Sequence, residues 1–326
     1  MKYIMLTGHR KSGTSLFHSL FDGHDGINVY PVDLSVLYAF FPAWVGPEHS
    51  EEQKSERLSL VMRKSLAQVN GKRVSASIER FDSESFLEHV FDRLNPEEFN
   101  RPSQILRCVA EAYCTYAGLD KSLPFLFKET SQTVNLAGML ADGVDVTAVQ
   151  LIRDPRDNYA AIKAGVSDYY HKMGESEQES LASVLNRARM DLELALLKRA
   201  DGPEVLIPLR FEDLVSQPSK EMEDLMGKLN IPWSESLRKP TRLGEPYAGN
   251  SHDGMKFSAV SKANMGRWRS RITDHEACVI EAWMRHVMEQ WGYELVYSDV
   301  DHARALEKFY AWYNLRYFYR DSFAVC

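Results

Sequence analysis

The sequence predicts an α/β protein of three layers, in which helices cover both faces of a central, mostly parallel β-sheet. Three observations carry this. Short apolar runs alternate with longer stretches of helical period along most of the chain, the pattern of βαβ units. The runs are apolar at nearly every position rather than every second one, as strands buried on both faces require. The chain has 326 residues, 44% apolar and 26% charged, which is globular composition with enough length to bury a sizeable core.

The elements follow in order. Tyr3–Thr7 reads as a buried strand, followed by GHRKSGTS and a helix beginning at LFHSLF. Ile27–Tyr30 reads as a second strand that ends at Pro31. From Glu48 to about Asp120 apolar residues recur at three- and four-residue intervals, so the region is helical. Pro124–Phe127, Val144–Ile152 and Val205–Arg210 read as strands. Helices are expected from Pro155 to Ala164, from Ser176 to Arg199 as one long amphipathic element, and from Asp213 to Leu229 despite Pro218. No repeat, low-complexity segment or linker divides the chain, so residues 1–326 are expected to form one domain. Within it, residues 48–120 form a helical region and residues 299–326 a C-terminal extension. That extension holds eight aromatics between Phe309 and Phe323, and is expected to dock on the domain or to pair two copies as a homodimer.

Charge and cysteine usage bound the function. With 39 basic and 46 acidic residues the formal charge is −7, which argues against a general nucleic-acid or anionic-membrane binder but leaves a local anion site open. Cys108, Cys114, Cys278 and Cys326 show neither metal-site nor disulfide spacing and fit free thiols in a reducing compartment. The longest apolar run, Leu34–Gly46, is too short to span a bilayer, and the N-terminus enters KYIMLTG without a separate apolar leader. A cytoplasmic protein is expected.

The sharpest motif is the turn between the first strand and its helix, Gly8-His-Arg-Lys-Ser-Gly13-Thr14-Ser15. Its Gly-x4-Gly spacing matches a phosphate-binding loop, whose amides and helix N-terminus cradle an anion. The position of the usual nucleotide-binding lysine is Thr14, and the lysine stands three residues earlier, at Lys11. A kinase needs that lysine on the transferred phosphate, so nucleotide-triphosphate chemistry is disfavoured.

TGHRKSGTSLFHSLFDGH resembles the 5′-phosphosulfate loop of sulfotransferases that use 3′-phosphoadenosine 5′-phosphosulfate (PAPS). Three later segments resemble the same family in order and spacing: VQLIRDPRDNYAA, LRFEDLVSQPSKEMEDLMGKLNIPW and NMGRWRSRITDHEACVIEAWMRHVMEQWGYE. Together they cover about residues 2 to 294. The resemblance implies the P-loop-NTPase-like sulfotransferase fold, with PAPS as sulfuryl donor and no metal. It implies that Lys11 stabilises charge on the leaving bisphosphate, that Arg10, Ser12, Gly13, Thr14 and Ser15 complete the loop, and that Arg153 binds the 3′-phosphate.

Several assignments stay open at this level. Arg10 is either a second phosphate cation or a solvent-facing residue, and Arg153 has Asp154 and Asp157 as competing ion-pair partners. The family's serine eight residues after this arginine is replaced here by Ala161, with Lys163 as a possible substitute. Between Lys256 and Arg271 stand five cations and no carboxylate; Lys262 or Arg267 is expected to reach the 3′-phosphate, and Trp268 either covers the nucleotide or anchors the loop. Transfer to a hydroxyl needs a proton acceptor. Asp33 is the first candidate, with His9, His24, Glu79, Asp82 and Glu129 behind it, while Lys128 and Glu129 mark a strand end that meets substrate or supports the loop. The acceptor is a small molecule, lipid or glycan. Tyr30, Tyr38, Phe40, Phe41, Trp44, Phe81 and Phe86 either line its pocket or form the core of the helical layer. A P-loop small-molecule kinase and an inactive nucleotide-binding scaffold are the competing functions.

Overall fold

Five strands form one parallel sheet: β1 (Tyr3–Thr7), β2 (Asn28–Asp33), β3 (Phe125–Lys128), β4 (Val146–Ile152) and β5 (Leu206–Arg210). Their spatial order is β2-β3-β1-β4-β5. The structure is a computed structural model and describes residues 1–37, 51–75, 77–94, 101–166, 176–201, 205–252, 254–257 and 259–317. Most of the apolar run Leu34–Gly46, including Tyr38, Phe40, Phe41 and Trp44, lies outside the described residues, as do Cys326 and the last aromatics of the tail.

The helices in chain order are α1 (Thr14–Ser19), α2 (Glu51–Leu66), α3 (Ser83–Phe91), α4 (Pro102–Tyr116), α5 (Leu136–Ala141), α6 (Pro155–Lys163), α7 (Glu177–Ser183), α8 (Arg189–Asp201), α9 (Phe211–Ser216), α10 (Pro218–Leu229), α11 (Trp268–Arg271), α12 (Asp274–Gln290) and α13 (Asp299–Tyr317). Alternate residues of each strand point to opposite faces, which divides the core in two. Tyr3, Met5, Phe125, Phe127, Val146 and Ala148 pack with α2 to α8, α12 and α13. Ile4, Leu6, Leu126, Val149, Leu151 and Ile207 pack with α1, α9 and α10. The three-layer α/β/α expectation holds, with unequal helical layers.

Three element boundaries differ from the sequence expectation. Pro31 does not end β2, which continues to Asp33. β2 is an edge strand whose pairing with β3 shifts between Val29 and Asp33, so a residue without an N–H is tolerated there. The helix expected from Ser176 to Arg199 is capped by Ser176 and Glu179, and is interrupted by a π-helical turn, Val184–Ala188, between α7 and α8. Pro218 does break the next helix: Gln217 takes φ −138°, ψ 58°, and separates α9 from α10, because a residue before proline is driven out of the helical region.

Tyr30, Phe81 and Phe86 are each no more than 1% exposed and belong to the core of the helical layer. Tyr30 and Phe86 both meet Tyr113 edge-on, at ring separations of 5.1 and 6.0 Å. The described part of the aromatic tail packs on its own chain. Phe309 is buried on α13 and lies 5.6 Å from the Trp283 ring of α12. No helix among the described residues is long and apolar enough to cross a membrane.

Phe309→Ala should cost about 3 kcal/mol, the usual penalty for emptying a buried aromatic site. Urea denaturation checks this as a lower midpoint at an unchanged slope.

Candidate functional site

The strand order reverses at β1, which lies between β3 and β4, and open parallel sheets bind ligands at the carboxyl ends beside such a point. The Gly8–Ser15 turn sits there. Lys11 adopts left-handed backbone, φ 66°, and Ser12 turns back to donate through N and Oγ to the His9 carbonyl, at 3.0 and 2.6 Å. Gly8 and Gly13 have φ 142° and 100°; a Cβ on Gly8 would overlap the Leu151 carbonyl, and one on Gly13 would stand 2.5 Å from the Phe211 ring. Gly13 offers α1 no side-chain cap and the first turn carries no acidic residue, so the positive end of the helix faces the turn uncompensated.

Arg153, just beyond β4, fastens this turn to two distant segments. Its Nη1 donates to the Lys11 carbonyl at 2.8 Å and its Nη2 to the Asn264 carbonyl at 2.6 Å. Its guanidinium lies 4.6 Å from the centre of the Phe211 ring. The alternative ion pairs with Asp154 or Asp157 are not what holds it. Asp154 caps α6 and binds Arg156, whose Nη1 reaches the fully buried Glu281 at 2.5 Å. Asp157 accepts from the amides of Gly266 at 2.6 Å and Trp268 at 2.9 Å, pinning the C-terminal loop. Burial lowers the Arg153 pKa against the opposing pull of Asp157, Glu212 and Asp154. Its Nε is buried without a hydrogen-bond partner among the described residues.

These segments line a cleft that is partly open to solvent. Lys11, Arg153, Arg267 and Arg271 bring positive charge to it; among the described lining residues the one carboxylate is Asp157, both of whose oxygens hold backbone amides. Ala160, Ala161, Ala164, Phe257 and Tyr247 supply apolar surface. A two-residue hairpin, β6 (Thr241–Arg242) and β7 (Glu245–Pro246), delivers the covering loop, and Asp22 holds it by bonds to Thr241 Oγ1 and Gly244 N. Lys11 Nζ donates to the Asn250 carbonyl of that loop at 3.3 Å. Burial, with Arg153 adding to it, brings the Lys11 pKa down to about 8.

The structure brings Lys11, Gly13, Arg153 and Arg267 together on the cleft. Ser12 and Thr14 are buried inside the turn, and Arg10 is half-buried beyond the cleft lining. Ser15 is half-buried on α1 and outside the cleft lining. Lys262 is exposed and outside the lining. Trp268 is buried, with the guanidinium groups of Arg156 and Arg269 each 4.4 Å from its ring centre. Ala161 does line the cleft, but Lys163 does not replace the missing serine: it is bound to Glu276 at 2.9 Å and Glu177 at 3.3 Å.

Asp33 ends β2 at the edge of the sheet, where Lys128 of the neighbouring strand pairs with its Oδ2 and Thr130 Oγ1 donates to the same oxygen at 2.8 Å. Asp33 Oδ1 has no hydrogen-bond partner among the described residues. The other proton-acceptor candidates are placed elsewhere. Asp82 caps α3, Glu79 is exposed, and His24 Nε2 lies 3.1 Å from the Pro232 carbonyl. Glu129 is fully buried and accepts from Leu37 N; burial, then Asp33, raises its pKa well above the carboxylate range. His9 is buried, and burial followed by Arg10 and Arg187 lowers its pKa. Sequence reasoning did not single out Phe211, Tyr247 or Asn250, and gave Asp157 only as an ion-pair partner for Arg153. Phe211 begins the aromatic-Glu-Asp segment, which was the available signal; the covering loop carries none.

The sequence model of the sulfotransferase family matches residues 4–235. Carbohydrate sulfotransferase 1 from Rattus norvegicus is 23% identical over 170 residues, which are 48% of this chain and 41% of that protein; the Homo sapiens protein of the same name matches to the same extent. The chain thus spans less than half the length of these curated relatives. Among solved structures, the sulfotransferase domain from the curacin biosynthetic pathway is similar with TM-score 0.55 and 16% identity, over 90% of this chain and 99% of that one. The sulfotransferase domain of the Synechococcus PCC 7002 olefin synthase is similar with TM-score 0.54 and 17% identity, over 91% and 96% of the two chains.

Gly13→Ala should destabilise the protein by about 3 kcal/mol, combining left-handed strain with overlap on Phe211. Gly23→Ala is the matched comparison, since Gly23 also has positive φ but nothing within 4 Å of a Cβ. Chemical denaturation of both variants should show the larger loss at Gly13.

Proposed function

The chain belongs to the sulfotransferase family, and from that premise we propose that it transfers a sulfuryl group from PAPS to a hydroxyl or amine of an acceptor by in-line displacement, releasing 3′,5′-ADP. The observation that carries this reading is the convergence of Lys11, Arg153, Arg267 and Arg271 on one cleft whose carboxylate is occupied by backbone amides. Such a cleft suits a ligand with several negative charges, and its alanine and aromatic surface suits a purine. The buried, unpartnered Arg153 Nε offers one more donor to an anion. The residues present therefore fit the donor.

When bound, PAPS supplies an activated sulfuryl group on a phosphate that can depart. Lys11, beside the turn and held by burial, keeps a positive charge where the leaving oxygen becomes negative, and so favours the transition state over the ground state. Arg153 and Arg267 bind the 3′-phosphate, with Arg271 taking the place of the absent serine. Asp33 accepts the proton from the acceptor oxygen, through the oxygen not taken by Lys128 and Thr130, as the new S–O bond forms. Lys128 holds Asp33 in place. Residues 1–326 act as one sulfotransferase unit, a reading supported by α12 and α13 sharing a core cluster with the sheet. Three free thiols among the described residues, Cys108, Cys114 and Cys278, fit a reducing cytoplasmic setting.

Incubation with radiolabelled PAPS and a panel of phenols, lipids and sugars tests the reading. Label transfer with stoichiometric 3′,5′-ADP release is expected, and binding without transfer would leave only a nucleotide scaffold. Asp33→Asn should lower kcat about 100-fold with the affinity for 3′,5′-ADP retained. The affinity for 3′,5′-ADP should also depend on pH. Lys11 is charged below its pKa of about 8 and neutral above it. Bound anion raises that pKa, so affinity stays level below pH 8 and weakens above it, by up to about tenfold per unit. Calorimetry from pH 7 to 9.5 reads the break, which Lys11→Arg should remove.

A further inference from the structure

Outside the cleft, the turn after β3 joins the phosphate-loop turn to an arginine that the transfer reading does not use. Ser131, in left-handed backbone at φ 59°, donates its N–H to the Gly8 carbonyl at 2.9 Å, and its Oγ accepts the Arg10 amide at 3.0 Å. Its own carbonyl accepts Nη2 of Arg187 at 2.7 Å. One residue earlier, Thr130 holds Asp33. The residue that Arg187 meets is thus next in the chain to the one that holds the group assigned to take the acceptor's proton. It is exposed, and it stands on the π-helical turn Val184–Ala188, a distortion that often marks functional sites.

The second observation is His9. Its side chain is 5% exposed, and neither ring nitrogen has a hydrogen-bond partner among the described residues. An imidazole always carries at least one donor, and leaving it unmet in the interior costs free energy unless a ligand meets it. Arg10 and Arg187 both act on this ring electrostatically. Asp191, one turn along from Arg187, is 3% exposed, and burial pushes its pKa up to about 7.

We propose that Arg187, together with the ring of His9, binds an anionic group carried by the acceptor, a carboxylate, phosphate or sulfate ester close to the hydroxyl that reacts. This assignment of acceptor class rests on the sulfotransferase reading. It divides the phosphate-loop turn between two tasks, with Lys11 serving the donor and the side of His9 and Arg10 serving the acceptor.

Two measurements test it. The first observes the His9 ring by NMR of histidine-labelled protein, assigned against His9→Asn, while inorganic phosphate is added with 3′,5′-ADP saturating the cleft. A saturable shift is expected, weakened about tenfold or more in Arg187→Met and partly restored in Arg187→Lys. Lys11→Ala, titrated without nucleotide, should keep it. No shift in the wild type, or an equal one in Arg187→Met, overturns the proposal. The second compares hydroxy acids with their methyl esters as acceptors. The acid should be favoured about tenfold or more in kcat/KM, and Arg187→Met should bring the ratio towards one through KM. Equal use of acid and ester by the wild type also overturns the proposal. If no acceptor releases 3′,5′-ADP, the transfer reading fails, and the phosphate titration of Lys11→Ala still decides the Arg187 site.

Discussion

The cleft depends on how the guanidinium of Arg153 is held. A cation buried at the end of a parallel strand must replace its lost water, and Arg153 does so with two backbone carbonyls and an aromatic face. Each contact fixes a different segment. The bond to Lys11 supports a left-handed residue in the turn, and the bond to Asn264 draws in the C-terminal loop. The ring of Phe211 fills the space that a side chain on Gly13 would need. Lysine could not hold all three, because it lacks the planar fork that points two donors in fixed directions.

The described carboxylates nearest Arg153 are spent on structure. Asp157 holds the amides of Gly266 and Trp268, and Asp154 caps α6 and binds Arg156. Glu281 is buried between Arg156, the amides of Val296 and Tyr297, and His302, and so joins α6, α12 and the start of α13. A buried charge is tolerated when its hydrogen bonds are met, and removing one partner is then costly. A protein with formal charge −7 can still gather four cations on one cleft, because charge at a site depends on which groups the fold brings together.

How much was legible can be traced residue by residue. The Gly8–Ser15 turn and Arg153 could be read because strand, turn and helix are contiguous and their spacing is local. Pro31 misled because its effect depends on whether a strand lies at the edge of the sheet, which is a property of strand order. Asp33 was a visible candidate, but its partner Lys128 is 95 residues away and only the pairing of β2 with β3 joins them. Trp268 had two readings until Arg156 and Arg269 were found on its ring. The cations of the C-terminal loop looked equivalent in sequence, yet Arg267 and Arg271 line the cleft while Lys262 is exposed outside it.

By itself, then, the sequence determined the α/β class, the anion-binding turn at the first strand and the family that the motifs resemble. These rest on hydrophobic period, glycine placement and local spacing, which act over a few residues. Only the tertiary structure decided which cations share a cleft, that Arg153 is a tie between backbone segments, that Arg156 and Arg269 meet the Trp268 ring, and that Arg187 meets the turn after β3. Those outcomes depend on contacts between residues far apart in the chain, and burial and hydrogen-bond satisfaction select among them only once the sheet has brought the segments together.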